Sequence, residues 1–431
     1  MAIIIPFLIA IVVGFALFCL ILKRHPFSSW LDIIIAFWMG VGACSLMTFY
    51  TVVIGHAYNP SLIMGVSIFF CICSLPVCWQ QLSVINVRSI RRPGLKDGVF
   101  VVLAIVIACI LQYIAAHNPF GDWDAWSFWN YLPHYFFSGG THIKDLFTIA
   151  SEARHPWFLP CWTLFGGTWM WQESVVFPLV SAQVFSLMLM ATMYYAIYEQ
   201  TKGILLAALG ALWMFGVTVF LFHSMSQYAD VLMANLICVN VLLLMRFKRM
   251  GVFNIRDAVM TGVLFGLMAF LKDDGMLCAG IMLLLFIVSI KVDLKGLIGI
   301  VWAFMSVFAA SIIVKVWMTD LPKEPEHLYL PYLWDISRWG LVFSYFNVLF
   351  VKQIGGGVFL LPLGLIIFVC TRRCRPEESL AGLFLLLYVG VFVVFLVLRH
   401  NLRWYFDGTA YRFIYQLVPV LMVIFFSVLA R

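Results

Sequence analysis

The chain has 431 residues, 64% of them hydrophobic and only 11% charged, with a mean hydropathy of +1.02. Soluble domains run nearer half apolar and a quarter charged, which excludes an ordinary water-soluble enzyme and makes this a polytopic membrane protein. The net charge of +7 sits in short loops between apolar runs, which argues for anionic lipid as its partner and against nucleic acid.

Apolar runs recur at about 3–22, 31–54, 61–83, 98–116, 175–198, 204–222, 231–246, 257–271, 275–290, 297–318, 357–371, 380–398 and 412–430. Runs of roughly 17–25 residues match helices that cross a hydrocarbon core of about 30 Å, and these do not alternate as barrel strands would. The expected fold is an all-α polytopic bundle of about 13 transmembrane helices. The opening MAIIIPFLIAIVVG lacks the basic n-region of a cleaved signal and reads as a retained helix with its N-terminus outside.

Two shorter apolar pieces, 157–172 and 341–353, read as non-crossing. With that choice the basic turns at Lys23-Arg24, Arg88 to Lys96, Lys202, Arg246 to Arg256, Lys291/Lys295 and Arg372 to Arg375 all face the cytoplasm. If 157–172 crossed, the RFKRM run at 246–250 would move outside. The polar loops 117–156, 223–229, 272–274, 319–340 and 399–411 then share the outer face, with most of the acidic residues. Any active site is expected there, facing the periplasm or exterior. No repeat, low-complexity tract or soluble domain is visible, so the chain reads as one membrane domain. The 11 cysteines are scattered, with no CxxC pair, and read as small buried hydrophobes. Lys315 stands out as a charge buried within a span.

The residues able to carry chemistry lie in the outer loops. Gly121-Asp122-Trp123-Asp124-Ala125-Trp126 places two carboxylates one residue apart among aromatics. A carboxylate sheltered by rings holds a proton more tightly than one in water, which suits a general base. Trp126 and its aromatic neighbours suit stacking on a sugar face, or equally an interfacial belt. Asp122-x-Asp124 also has the form of a metal-binding D-x-D, for which Mg²⁺ or Mn²⁺ is the candidate ion. Ser151-Glu152-Ala153-Arg154-His155-Pro156 presents Arg154 and His155 at the membrane surface, either as phosphate donors or as a snorkelling anchor. In Gln227-Tyr228-Ala229-Asp230, helix capping alone accounts for Asp230. Lys272-Asp273-Asp274-Gly275 either forms a local ion pair or aims Lys272 at an anion. Arg399, Arg403 and Arg412 break the positive-inside trend, and arginine suits bidentate phosphate binding. Pairing of these arginines with Asp407 or with the first loop is the competing account. Phosphate-loop, dinucleotide-fingerprint, HExxH and GxSxG motifs are absent.

Taken in order, GDWDAWSFWNYLPHYFFSGG, HPWFLP, QYADVLMANLICVNVLLL, FLKDDG and RWYFDGTAYRFIYQLVPVLMVIF resemble the GT-C integral-membrane glycosyltransferases. Within that family the resemblance is to the broad group of the dolichyl-phosphate-mannose and aminoarabinose transferases. The resemblance spans about 98–431 and implies that residues 1–97 are a three-helix N-terminal extension to a transmembrane catalytic region. The family's K-N-E-G hairpin corresponds to Lys272-Asp273-Asp274-Gly275, and Thr409, Arg412, Gln416 and Pro419 match its last motif, with Ala410 in place of Ser. Where the family pattern has basic residues after D-W-D-A, this chain has Pro133 and His134.

The resemblance implies transfer of one sugar, with inversion, from a polyprenyl-phosphate donor to a glycan, lipid or protein hydroxyl on the outer face of a bacterial inner membrane. Asp124 is the base on this reading and Asp122 its partner. Lys272, Arg403 and Arg412 are the phosphate ligands, supported by Arg154 and His155, while Trp126, Tyr228, Asp230 and Asp274 complete the substrate site. A transporter or flippase of lipid-linked sugars is one alternative, which inverted repeats and polar residues within spans would favour. A surface-polysaccharide polymerase or ligase is the other.

Overall fold

The computed structural model describes residues 2–22, 29–84, 94–122, 124–143, 145–146, 156–216, 218–290, 292–317, 330–352 and 411–429. The expected spans 357–371 and 380–398 lie outside the described residues, as do Arg154, His155 and Arg403. The described part is helical throughout and contains no sheet: α1 (Ile5–Leu22), α2 (Trp30–Gly55), α3 (Pro60–Val84), α4 (Leu95–His117), α5 (Tyr131–Phe137), α6 (Phe158–Met170), α7 (Val176–Thr201), α8 (Ile204–Gly216), α9 (Thr218–Met225), α10 (Ala229–Met250), α11 (Ile255–Leu271), α12 (Asp273–Ile290), α13 (Leu294–Trp317), α14 (Ile336–Lys352) and α15 (Tyr411–Leu429).

Eight helices among the described residues are long and apolar enough to cross a bilayer: α1–α4, α7, α10, α12 and α13. The chain is therefore a multi-pass membrane protein. Their lengths follow from the solvent, because a helix in lipid satisfies its own backbone and needs about 20 apolar residues to reach both surfaces. The 204–222 run, expected as one span, carries α8 and α9 on either side of position 217, which lies outside the described residues.

The central element is α10, whose apolar residues are buried almost end to end. It packs against α7, α11 and α15. Its acidic residue, Asp230, lies in the first turn and Lys248 and Arg249 in the last, each sign at the helix end whose dipole favours it. Helix α6 is about 20 Å long at 13 residues, too short to cross the core, and lies inside the bundle. Its Trp162 meets Phe7 of α1 at 5.4 Å and Phe177 of α7 at 5.4 Å, and donates its indole N–H to Ser181 at 3.0 Å.

Lys315 is not the buried charge expected from its span. Its side chain is 52% exposed and its ammonium donates to Asp273 at 2.6 Å, because the residue falls in the last turn of α13 beside the α11–α12 turn.

Candidate functional site

Five charged side chains from four separated stretches meet at one end of the bundle. Asp230 is their hub and is fully buried. One of its carboxylate oxygens accepts from the Lys272 ammonium at 3.0 Å and the Gln416 amide at 2.6 Å. The other accepts from Arg412 Nε at 2.8 Å and Nη2 at 2.7 Å. Arg412 also donates through Nη1 to Asp124, joining the first outer loop to the last helix. Lys272 makes a second ion pair with Asp274 at 3.1 Å. Three carboxylates therefore hold two cations. Arginine suits the central position because its planar fork donates in two directions at once.

Local structure explains each placement. Arg412 and Gln416 are four residues apart on α15, so they share a face and reach one partner. Asp230 lies in the first turn of α10, where unpaired backbone N–H groups favour negative charge. Lys272 ends α11 in an extended conformation and Asp273 begins α12 at once. That abrupt turn requires Gly275, where a Cβ would stand 1.9 Å from the Met268 carbonyl oxygen.

The first loop is held against the turn before α10. Gln227, itself at φ 60, accepts from the Asn130 amide at 2.8 Å and donates to the Pro119 carbonyl at 3.2 Å. Gly121 adopts φ 73, and a Cβ there would come within 2.9 Å of the Ser226 carbonyl oxygen. Asp124 then begins a π turn over Ala125–Trp129, closed by Asn130 N–H donating to the Ala125 carbonyl at 2.6 Å.

Tyr228 lies under the Arg412 guanidinium, with its ring centroid 4.3 Å away, and its hydroxyl bonds Asp122. Burial, then the Asp124 and Asp122 carboxylates, push that hydroxyl well above the usual phenol range. His223 packs on Tyr228 and Tyr415, with ring centroids 5.5 and 5.4 Å away. Burial pulls its imidazole down to about 4 despite nearby Asp230, so it is neutral at physiological pH. For Lys272, burial disfavours the charge, but Asp230 and Asp274 outweigh it and hold the group above the ordinary lysine value.

The structure thus brings Asp122, Asp124, Tyr228, Asp230, Lys272, Asp274 and Arg412 together. Trp126 packs against Phe120 at 5.9 Å. His134, in the place of the family's basic residues, is exposed and bonds Glu173 at 2.9 Å. Capping alone does not account for Asp230, which organises both cations. Lys272 makes its local ion pair, and Arg412 pairs with the first loop. Sequence reasoning missed Gln227, Asn130 and His223 as parts of the site. No spacing rule marks them, since each acts through a tertiary contact. Among the described residues, no three His, Cys, Asp or Glu side chains gather as a metal site.

No family model, curated protein or solved structure matches the chain.

Proposed function

We propose that this chain is an integral-membrane glycosyltransferase that moves one sugar from a polyprenyl-phosphate donor to an acceptor hydroxyl, with inversion, at the outer face of a bacterial inner membrane. The observation that carries the reading is the meeting of Asp124, Asp230, Lys272, Asp274 and Arg412, drawn from separate motifs, in one sheltered cluster. Ionisable groups buried together at the ends of membrane-spanning helices are costly to hold and mark functional sites.

The acceptor oxygen attacks the anomeric carbon, and the bond from that carbon to the phosphate oxygen breaks. Polyprenyl phosphate leaves with the electron pair, and the acceptor proton passes to a carboxylate. Asp124, 18% exposed at its side chain, is the base, and exposed Asp122 is its partner. Asp230 is sealed from solvent and acts as a positioning residue for Arg412 and Lys272. Those two cations receive the charge that develops on the phosphate. In the free protein Arg412 is held by Asp124, so an arriving phosphate competes for the same guanidinium. That exchange releases Asp124 to take the proton. No step is assigned to Mg²⁺ or Mn²⁺.

The position of the cluster favours a transferase over a transporter, because it lies at helix ends and not at mid-span, where transporter sites sit. In membranes supplied with donor and acceptor, Asp124→Asn should lower transfer by about 10²–10⁴-fold while the protein still inserts. Full activity in that variant overturns the assignment of the base. Mass analysis of surface glycans and glycolipids should show one missing sugar in cells lacking the chain, and an unchanged profile sinks the transferase reading.

A further inference from the structure

A cavity of about 370 Å³ opens at the other end of α10, between α2, α7 and α10. Arg246 and Arg249, which line it, follow Asp230 by 16 and 19 residues on one helix. At about 1.5 Å per residue they stand roughly 24 and 29 Å from it, close to the thickness of a hydrocarbon core. This cavity is therefore separate from the cluster around Asp230.

Its construction is amphipathic. Glu199 and Arg249 are exposed at the mouth, while Ile34 and Leu242, further into α2 and α10, form a buried apolar wall. Arg246 lines the cavity while it donates to Asp32, which is almost fully buried. That ion pair fixes the guanidinium in the cavity wall. Tyr195 forms another part of the lining, and Trp30 stacks flat on it at 4.4 Å. Trp and Tyr collect at the headgroup level of a bilayer. Lys96, Lys202, Lys248, Arg256 and Lys295 lie at the same end, against Asp97, Asp257 and Asp293. With the cavity's own charges included, seven cations among the described residues there face five carboxylates.

We propose that this cavity binds the phosphate of an anionic phospholipid, with Arg246 and Arg249 on the headgroup and the acyl chains along the Ile34–Leu242 wall. Charge excess, a headgroup-level aromatic pair and an apolar wall beneath the charged mouth together select this class, and basic pockets between transmembrane helices suit such headgroups. The inference does not depend on sugar transfer.

The test is native mass spectrometry of the delipidated full-length protein in detergent, titrated with phosphatidylglycerol or phosphatidylcholine. Phosphatidylglycerol should bind more tightly. Arg249→Gln, at an exposed position that folding does not require, should weaken it by about tenfold, the scale of one charge-assisted hydrogen bond. Arg246→Lys, which keeps the ion pair with Asp32 but loses the fork, should also weaken it, and Glu199→Gln should strengthen it. Lys295→Gln, at the same end but outside the cavity, should leave binding unchanged. Equal affinity for the two lipids, or an equal loss in Lys295→Gln, overturns the proposal. Inorganic phosphate at millimolar concentration should fail to displace the lipid, and displacement would make this a free-phosphate site and overturn the lipid assignment.

Discussion

Asp230 accepts hydrogen bonds from Lys272, Arg412 and Gln416 and has no exposed surface. Its replacement by Ala leaves two cations in a sheltered site without their main counter-charge. The expected cost is about 3–5 kcal/mol, the scale for breaking a buried ion pair by removing one partner. Thermal unfolding in detergent measures it, and Asp230→Asn, which keeps the shape and part of the hydrogen bonding, should cost less. His223 supplies a pH dependence of its own. It lies at the end of α9, past the expected 204–222 crossing, and burial holds it neutral down to about pH 4. The unfolded chain binds a proton at about 6.5 where the folded chain does not, so stability from this group is lost as pH falls from about 6.5 towards 4. Its share is about 3 kcal/mol. His223→Gln should flatten the stability profile across that window, and an unchanged slope would show that His223 protonates freely in the folded protein. The charged residues of the site were legible in the sequence because each breaks an apolar background. Their pairing was not, since Asp230 and Arg412 lie 182 residues apart.

At the scale of elements, the site depends on how two turns are built. The α11–α12 turn brings Lys272 to Asp230 only because Gly275 lets the chain pass against Met268. Gly275→Ala should destabilise by about 1–3 kcal/mol, the usual cost of forced overpacking, and should move Lys272 off Asp230. Unfolding scans report the first effect. The first loop depends on Gln227, which ties Asn130 at one end and Pro119 at the other. In Gln227→Ala, backbone amides over 120–130 should exchange faster while those of α10 keep their protection. Uniform loss of protection across both would mean that the residue holds the whole bundle and not the loop. Most helix positions could be read in advance because bilayer thickness dictates their length. The depth of α6 in the bundle could not, since it is a packing result, decided by the pocket for Trp162.

Across the whole molecule, charge is divided between two ends. Asp122, Asp124, Asp230, Asp273 and Asp274 gather at one end with Lys272, Lys315 and Arg412, so that carboxylates exceed cations. At the other end the cations exceed the carboxylates. An excess of Lys and Arg in short loops marks the cytoplasmic side, so the acidic end with its cluster should face outward. His142, exposed in the first loop, and Glu199, exposed at the basic end, make suitable reporters. In a cysteine-free background, a membrane-impermeant thiol reagent added to intact cells should label a cysteine placed at 142 and should label one at 199 only after lysis. The reverse pattern would turn the Asp230 cluster towards the cytoplasm. It would also bring the Arg246–Arg249 cavity to the outer leaflet, where the anionic headgroups of the cytoplasmic leaflet do not reach it. The two proposals therefore share one orientation, and this experiment tests that shared assumption apart from either activity.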